Sequence, residues 1–254
     1  MRESLKRFPP FKYAIVMARI FRVKPGFGSR IKNLSAYFSD YRKYRRLEKN
    51  PSFKVSTADL FPRIYDKTAL TDIDPVYFIQ GCWCAKKVFE AKPRKHCDVG
   101  SQALMVGIIS QFVPTAMVDI RPLSVSIPGL SFVKGDITAL PFKDGELESL
   151  SSICVIEHIG LGRYGDPLDQ FGTEKSAKEL SRVLAPGGSL YISVPIDRES
   201  KTYFNAHRAF TREQVISLFP GLKLQEESYV YGRDVERFCD AKKGFGTGLY
   251  HFQK

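Results

Sequence analysis

CDVGSQALMVG, residues 97–107, begins like the glycine loop that follows the first strand of a nucleotide-cofactor enzyme. An acidic residue, an apolar residue and a glycine come first, as Asp98, Val99 and Gly100. The second and third glycines of such a loop are missing, and Gln102 is the bulkiest departure. The stretch therefore predicts a strand and a tight turn, and it leaves open whether a cofactor binds there.

Downstream of this stretch, short apolar runs alternate with longer segments of helical character. That alternation is typical of a parallel sheet covered by helices. The predicted strands are residues 96–99, 115–120, 130–135, 149–156 and 189–195, and the predicted helices are 103–111, 173–184 and 211–218. Pro186 and Gly187 are expected to stop the second of these helices. Residues 222–232 and 246–254 are expected to add a closing antiparallel pair, so the predicted fold class is α/β.

Four acidic residues fall at the ends of successive predicted strands: Asp98, Asp119, Asp136 and Glu157. Successive members are 21, 17 and 21 residues apart, which is about one strand and its connection each. Ligands of open parallel sheets bind at the carboxyl ends of the strands, so the four acids are predicted to line one crevice. Each acid taken alone is also explained as a helix cap or a turn residue.

Five motifs in this order resemble those of the class I S-adenosylmethionine-dependent methyltransferases, over residues 95–196. They are DVGS, VDIRP, FVKGDITALPFKDGELESL, SSICVIEHIG and ELSRVLAPGGSLYISVP. The last is the most specific, whereas a lone glycine loop would be weak evidence. The resemblance implies a Rossmann-like, doubly wound sheet, a methyl-transfer reaction and S-adenosylmethionine as the cofactor.

The resemblance also implies which residues hold the cofactor. They are Asp98, Gly100, Ser101, Asp119, Asp136, Ile137 and Glu157. Asp119 would hold the ribose hydroxyls, and Asp136 would lie by the adenine amino group. S-adenosylmethionine has no phosphate, so its loop needs a tight turn and a helix N-terminus more than it needs three glycines. The missing glycines therefore weaken the motif without excluding this cofactor.

Two histidines are candidate general bases for removing the proton of an acceptor hydroxyl. His158 follows the fourth predicted strand, and His207 lies in a predicted loop after the fifth. The ordinary pKa of histidine suits proton transfer near neutral pH. His158 is also explained as a residue that only shapes the cofactor pocket, and His207 as a packing or capping residue before the next helix.

Residues 160–172, GLGRYGDPLDQFG, are too rich in glycine and charge for a core segment and predict a loop over the site. The candidate substrate-binding residues in it are Arg163, Tyr164, Asp166 and Asp169. Carboxylates and a flat ring suit a sugar, and the arginine suits a phosphate or carboxylate. Residues 154–172 also resemble a methyltransferase branch associated with cell-surface glycan synthesis, which implies a sugar or glycan acceptor. The alternative is a structured loop whose aspartates cap turns.

The chain has 254 residues and a formal net charge of +12, which is unevenly distributed. Residues 1–95 carry 22 Lys and Arg against 8 Asp and Glu, whereas residues 96–254 carry 17 against 19. We therefore expect a basic, mainly helical extension, residues 1–94, packed on a methyltransferase domain, residues 95–254. A helix at 37–50 is expected to pack by its aromatic face or to meet lipid headgroups or a phosphorylated substrate.

Cysteine usage and the apolar segments bear on location. Five cysteines, an odd number, indicate a reducing compartment. Residues 14–21 are apolar but too short to span a bilayer, and no clear cleavage site follows them. We expect a cytoplasmic protein with peripheral contact to the inner membrane surface through its basic extension. The expected partner is a small-molecule or glycan acceptor, including phosphorylated and lipid-linked forms.

Two other functions remain open. The basic N-terminal third favours a nucleic-acid methyltransferase, but the chain has no Asp/Asn-Pro-Pro-aromatic tetrapeptide and no recognisable RNA-binding motif. The other alternative is a binding or scaffold protein that kept the fold and lost the cofactor loop. No metal site is predicted, because no spacing of His, Cys, Asp and Glu matches a ligand pattern.

Overall fold

One eight-stranded sheet organises the unit Ile73–Lys254 in the computed structural model, which describes residues 27–254. The strands that the structure describes are β1 (His96–Val99), β2 (Thr115–Asp119), β3 (Leu130–Lys134), β4 (Leu147–Ile153), β5 (Leu184–Ile196), β6 (Lys201–Tyr203), β7 (His207–Ala209), β8 (Lys223–Tyr231), β9 (Asp234–Glu236) and β10 (Gly246–Gln253). The sheet order is β3-β2-β1-β4-β5-β10-β8-β9, and β6 and β7 form a separate hairpin.

The strand order places a topological switch point at the centre of the sheet. Strands β1 to β5 run parallel, while β10 is antiparallel to both β5 and β8. The order reverses between β1 and β4, and Rossmann-like sheets bind ligands at such a reversal. The predicted α/β, doubly wound sheet and its closing antiparallel pair are both present.

The described residues also contain the helices α1 (Phe27–Leu47), α2 (Pro75–Ala91), α3 (Ala103–Ile109), α4 (Gly172–Val183) and α5 (Arg212–Ser217). Local sequence signals set the start of two of them. The carboxylate of Asp74 caps α2, whose first residue is Pro75. Thr211 and Gln214 form a capping box at the start of α5.

Helices cover both faces of the sheet. Tyr191 and Ile192 are successive residues of β5, so they point to opposite faces, and they belong to different apolar clusters. Ile192 packs in the cluster that contains Leu180 of α4, and Tyr191 packs in the cluster that contains Val88 of α2 and Val106 of α3. Burying one such side chain completely stabilises the fold by about 1.5–3 kcal/mol, relative to leaving it exposed to water.

Several predicted element ends differ from the structure, and β5 begins at Leu184 rather than at the predicted residue 189. The strand predicted at 149–156 ends at Ile153, because Cys154 adopts a left-handed φ of 53° that breaks the extended chain. The helix predicted at 173–184 ends at Val183, and Leu184 is already extended. Pro186 and Gly187 therefore lie inside β5 rather than at the helix end. The helix predicted at 103–111 ends at Ile109.

The hairpin β6–β7 and the short strand β9 were not predicted. The hairpin replaces a predicted loop that contained His207, and its two strands pair through Lys201 with Ala209 and Tyr203 with His207. Each strand has only three residues, too few for a periodic pattern to be seen in the sequence. The hairpin therefore gives His207 a fixed backbone position.

The chain divides between Asp72 and Ile73 into two compact units. Helix α2 lies in the second unit, although its residues fall within the predicted extension 1–94. In the first unit, α1 ends at Leu47, three residues before the predicted end, and none of its residues with a described side chain is buried. None of the helices in residues 27–254 is both long enough and apolar enough to cross a membrane.

Candidate functional site

A cavity of about 350 Å³ opens at the carboxyl ends of β1, β2, β3 and β4. Its place is the ligand-binding edge of open α/β sheets, and ligand pockets usually measure about 300–1,000 Å³. The predicted site residues that line it are Gly100, Asp119, Asp136, Ile137, His158, Tyr164, Asp166 and Asp169. The predicted site residues outside its lining are Asp98, Ser101, Glu157, Arg163 and His207. Only two of the four strand-end acids therefore face the cavity, and the other two are buried.

The carboxylate of Asp98 is fully buried and holds the loop after β1. It accepts hydrogen bonds from the N–H of Ser101 at 3.0 Å and from the hydroxyls of Ser101 and Ser151 at 2.6 and 2.5 Å. Burial raises the pKa of Asp98 to about 6, although these hydrogen bonds oppose the rise. The ring of His96 extends the network through hydroxyl contacts to Ser149 and Ser151, at 2.8 and 3.0 Å.

Gly100 makes the tight turn that the sequence predicted after β1. Its φ is 75°, and a Cβ there would lie 2.9 Å from Cγ1 of Val155, so the turn requires a glycine. Its N–H donates to the carbonyl of Val118 at 2.8 Å, which ties the loop to β2. The side chain of Ser101 turns into the protein interior and Gln102 is exposed, so neither lines the cavity.

Asp119 and Asp136 face the cavity from the ends of β2 and β3. Oδ1 of Asp119 accepts from the N–H of Arg121 at 2.8 Å, and Oδ1 of Asp136 accepts from the N–H and hydroxyl of Thr138, both at 2.8 Å. Within residues 27–254, no group donates to Oδ2 of either carboxylate. These two oxygens can accept hydrogen bonds from hydroxyl or amino groups of a ligand.

His158 is 8% exposed and lines the cavity just beyond β4. Its Nδ1 lies 2.6 Å from the carbonyl oxygen of Ala206. A lone pair on Nδ1 would repel the carbonyl at this distance, so we assign the ring proton to Nδ1 and the lone pair to Nε2. Burial lowers the pKa of His158 to about 4, which keeps the imidazole neutral near pH 7. This is the protonation state of a general base.

Glu157 is buried beside that histidine and not in the cavity lining. Its Oε1 is 3.7 Å from Nε2 of His158, and its Oε2 has no hydrogen-bond partner in the described part of the chain. Burial raises the pKa of Glu157 to about 8, so the side chain is mostly protonated at neutral pH. A neutral Glu157 puts no negative charge next to His158, which is consistent with the lowered pKa of the histidine.

Residues 160–171 form the predicted irregular loop, because Gly172 already begins α4, and part of the loop lines the cavity. The carboxylate of Asp166 accepts from the backbone N–H groups of Gly160, Gly162 and Tyr164, at 2.7, 3.3 and 3.2 Å. Partial burial raises the pKa of Asp166, but the backbone hydrogen bonds outweigh it and hold the pKa below its ordinary value. Asp166 therefore shapes the turn that carries Tyr164.

Asp169 and Arg208 fasten the far end of this loop. The carboxylate of Asp169 accepts from the N–H of Phe171 at 2.9 Å and from Nζ of Lys175 at 2.6 Å. The guanidinium of Arg208, on β7, donates to Ile159 O, Thr173 Oγ1, Asp169 O and Gln170 O, at 2.7, 3.2, 3.2 and 3.3 Å. The loop is thus held mainly through its backbone, which leaves other side chains free to meet a ligand.

Two arginines contact the ring of Tyr164 at the rim of the cavity. The guanidinium carbons of Arg121 and Arg163 lie 4.7 and 5.1 Å from its centroid. The ring is also 5.6 Å from that of His158, edge to face. Nη1 of Arg163 donates to the carbonyl of Ala206 at 3.0 Å, the same carbonyl that His158 contacts. The end of β2, the loop and the histidine therefore meet at one tyrosine.

His207 lies on β7 in an aromatic contact. Its ring is 4.9 Å from that of Tyr203 and 5.7 Å from that of Phe245. Its Nε2 is buried without a partner among the described residues, and burial lowers the pKa of the ring. His207 is outside the cavity lining, although the preceding residue, Ala206, binds His158.

The unpredicted residues at this site include Arg121, Cys154 and Arg208. Arg121 and Cys154 line the cavity. Arg121 directly follows the strand predicted at 115–120, so its position after a strand end is a signal that would have found it. Cys154 lay inside the strand predicted at 149–156, and only the early end of β4 places it at the cavity. Arg208 acts through contacts to residues 35 to 49 positions away, for which the local sequence carries no signal. Within residues 27–254, no group of three or more His, Cys, Asp or Glu side chains is arranged to hold a metal ion.

Comparisons with known sequences give one family match. The family model described as "Caenorhabditis protein of unknown function, DUF268" matches residues 142–235, which run from the segment before β4 to β9. A comparison with curated proteins found no match to this chain. The sequence comparisons therefore supply no activity.

Three crystal structures share the fold. The cyclase SpnF has a TM-score of 0.53 and 14% identity, over 68% of this chain and 79% of SpnF. A candidate sarcosine dimethylglycine methyltransferase from Galdieria sulphuraria has a TM-score of 0.52 and 14% identity, over 70% of this chain and 86% of that protein. The N-methyltransferase NodS from Bradyrhizobium japonicum has a TM-score of 0.51 and 15% identity, over 72% of this chain and 98% of NodS. The chain has the fold of the class I S-adenosylmethionine-dependent methyltransferases, as its motifs predicted. Since one of the three is a cyclase, the fold alone does not define the reaction.

Proposed function

We propose that this chain is an S-adenosylmethionine-dependent methyltransferase that acts on a sugar or glycan intermediate. The observation that carries the proposal is one cavity that joins Asp119 and Asp136 to His158. The two acids offer free carboxylate oxygens, and the histidine is held neutral with its Nε2 lone pair available. The residues that we assign to the cofactor and to general-base catalysis thus line one cavity, at the sheet edge where Rossmann-like sheets bind ligands.

The residues around the cavity fit the cofactor that the fold implies. Oδ2 of Asp119 would accept hydrogen bonds from the ribose hydroxyls. Asp136 would accept a hydrogen bond from the adenine amino group, beside the apolar Ile137. Gly100 would let the backbone approach the methionine end, because no side chain stands on the turn. Asp98 holds that turn from within. When bound, the cofactor supplies an activated methyl group.

His158 is the residue that we assign as general base, with His207 retained as the second candidate. Its Nε2 would accept the proton that the acceptor hydroxyl loses when the methyl group is transferred to its oxygen from the sulfonium, which is left as a neutral thioether. The bond from Nδ1–H to Ala206 keeps the ring oriented and its tautomer fixed. Positioned bases of this kind contribute about 10²–10⁴-fold in rate.

The acceptor would lie against the loop 160–172. Tyr164 offers a flat ring and Arg163 a cation, which suit a sugar that carries a charged group. Asp166 and Asp169 use much of their capacity on the backbone and on Lys175. We assign them to the shape of this subsite more than to direct sugar contacts.

We also propose a cytoplasmic protein whose basic N-terminal third rests on a membrane surface. Helix α1 carries Arg45 and Arg46 in its last turn and exposes Phe38 and Tyr44. Cationic and aromatic side chains on one helix suit the interface of an anionic membrane. A lipid-linked acceptor would be presented at the same surface.

Calorimetric titration with S-adenosylhomocysteine tests the cofactor assignment. Wild type is expected to bind, and Asp119→Ala to bind about ten- to a hundredfold more weakly, because hydrogen bonds to a charged group are lost. Asp234→Ala, an exposed position at the start of β9, is the matched control and should bind like wild type.

Each other outcome has a defined meaning. No binding to wild type at millimolar ligand would contradict the proposal and favour a scaffold protein without cofactor. Equal binding by Asp119→Ala would refute the ribose assignment. Tight RNA binding that weakens steeply with added salt would favour a nucleic-acid methyltransferase instead.

A further inference from the structure

We propose that the acceptor carries an anionic group, a phosphate or a carboxylate, which binds to Arg121 and Arg163 beside Tyr164. The inference rests on the proposed function, because it concerns the acceptor of the same cavity. It extends that proposal by a charge requirement, and by Arg121, which the sequence did not mark.

The first support is the convergence of two cations. Arg121 follows β2 and Arg163 lies in the loop after β4, yet both guanidinium groups lie within about 5 Å of the ring of Tyr164. Like charges repel, and the electron-rich face of the ring and the carboxylate of Asp119, 3.4 Å from Nε of Arg121, offset only part of that repulsion. A bound anion would offset the rest.

The second support is the set of donors that these arginines leave unused. Nε of Arg121 lies 3.4 Å from Asp119, and neither of its Nη atoms has a hydrogen-bond partner among the described residues. Arg163 uses only Nη1, which donates to the carbonyl of Ala206; Nδ1 of His158, 3.3 Å from Nη1, carries a proton and does not accept from it. Its Nε and Nη2 are free within residues 27–254, and no carboxylate there lies within 4.0 Å of it. Guanidinium forks of this kind match the paired oxygens of carboxylate and phosphate.

The third support is the position of the rim beside the base. Nη1 of Arg163 is 3.3 Å from Nδ1 of His158, and Tyr164 touches the same imidazole edge to face. Asp166, in the same loop, is bound to three backbone N–H groups and pairs with neither arginine in the described chain. An anion on Arg163 would therefore place the neighbouring part of the acceptor next to His158.

Calorimetry on the full chain with three sugars tests the charge requirement. Glucose 6-phosphate and glucuronate are the charged probes, and glucose is the uncharged control. Wild type is expected to bind at least one charged probe about ten- to a hundredfold more tightly than glucose, and less tightly at high salt. Binding of the phosphate alone, or of the carboxylate alone, identifies the source of the anion.

Substitutions assign the binding to the rim. Arg163→Gln and Arg121→Gln are each expected to remove most of the preference for the charged probe. Arg233→Gln, in the exposed turn between β8 and β9, should leave the preference unchanged. Equal affinity of wild type for all three sugars, or a preference that survives both rim substitutions, would overturn the proposal.

The two proposals fail separately. Wild type that binds S-adenosylhomocysteine but prefers no charged sugar would overturn the anion site and leave the methyltransferase. Wild type that prefers a charged sugar through the two arginines but does not bind S-adenosylhomocysteine would keep the anion site and remove the methyltransferase. Neither measurement depends on turnover.

Discussion

The loops after β1 and β4 each hold a carboxylate with three hydrogen-bond donors, yet the two carboxylates differ in acidity. Asp98 is fully buried, and burial raises its pKa to about 6. Asp166 is partly exposed, and its backbone hydrogen bonds hold its pKa below the ordinary value. Equal numbers of donors thus give opposite shifts, because the loss of water outweighs the hydrogen bonds only at the buried site.

The difference separates two kinds of loop. The donors to Asp98 include two serine hydroxyls, one of them on β4, so the first loop is part of the sheet's buried network. The donors to Asp166 are backbone N–H groups of its own loop, whose side chains at Arg163 and Tyr164 are exposed. Under the proposed function, the buried network fixes the loop on the cofactor side, and the exposed side chains of the second loop set the acceptor specificity.

Replacing each carboxylate by alanine is expected to have very different effects on stability at the two loops. Asp98→Ala leaves three buried donors without an acceptor and is expected to lower the free energy of unfolding by about 3–5 kcal/mol. Asp166→Ala exposes its donors to water and should lower it by only about 1 kcal/mol. Urea unfolding measures both. Equal losses would show that the second loop is as much part of the core as the first.

Two glycines test the backbone of the second loop at a smaller scale. Gly160 and Gly165 have φ values of 82° and 88°, but a Cβ on Gly160 would lie 1.9 Å from the carbonyl oxygen of Asp169, whereas one on Gly165 meets nothing. Gly160→Ala is expected to lower the free energy of unfolding by about 2–4 kcal/mol, and Gly165→Ala by about 1–2 kcal/mol.

Thermal and urea unfolding of the two variants give the comparison directly. If both alanines cost the same, only the backbone conformation matters, and the loop does not depend on the close approach of Gly160 to Asp169. If Gly165→Ala costs more, the free tip of the loop is more constrained than its hydrogen bonds indicate.

The sequence was enough to predict the fold, because hydrophobic periodicity and turn residues are local signals. Alternating apolar runs predicted the five parallel strands, and strand-end acids pointed to the edge where the cavity opens. The sequence did not show that Asp119 faces the cavity while Asp98 is buried, although both lie at strand ends. The direction of a side chain depends on the neighbours that bury it, and these are distant in the sequence. Ser151, 53 residues away, is one of those neighbours.

The parts of the site that were not predicted depend on long-range packing. Arg208 holds the second loop from β7, and the hairpin that carries it is too short to show a pattern. The neutral state of His158 depends on burial, whereas the carbonyl of Ala206, 48 residues away, works against it and fixes the tautomer. A sequence motif supplies the histidine, but only the fold sets its tautomer and charge.

Glu157 lies before the second loop, and its replacement by glutamine is expected to change stability only modestly. Glu157 is 1% exposed and burial raises its pKa to about 8, so the folded protein keeps a proton that the unfolded chain loses above about pH 4.5. The stability contributed by that proton is present at low pH and is lost as pH rises toward 8.

Glutamine cannot ionise, so we expect the free energy of unfolding of Glu157→Gln to exceed that of wild type by about 1–3 kcal/mol at pH 7.5 and to approach it near pH 5. Urea unfolding across that range measures the difference, and Glu199→Gln, at an exposed position, should follow wild type. Parallel curves for Glu157→Gln and wild type would mean that Glu157 is ionised in the fold. A charged neighbour would then raise the pKa of His158, and the histidine would lose its neutral state well above pH 4.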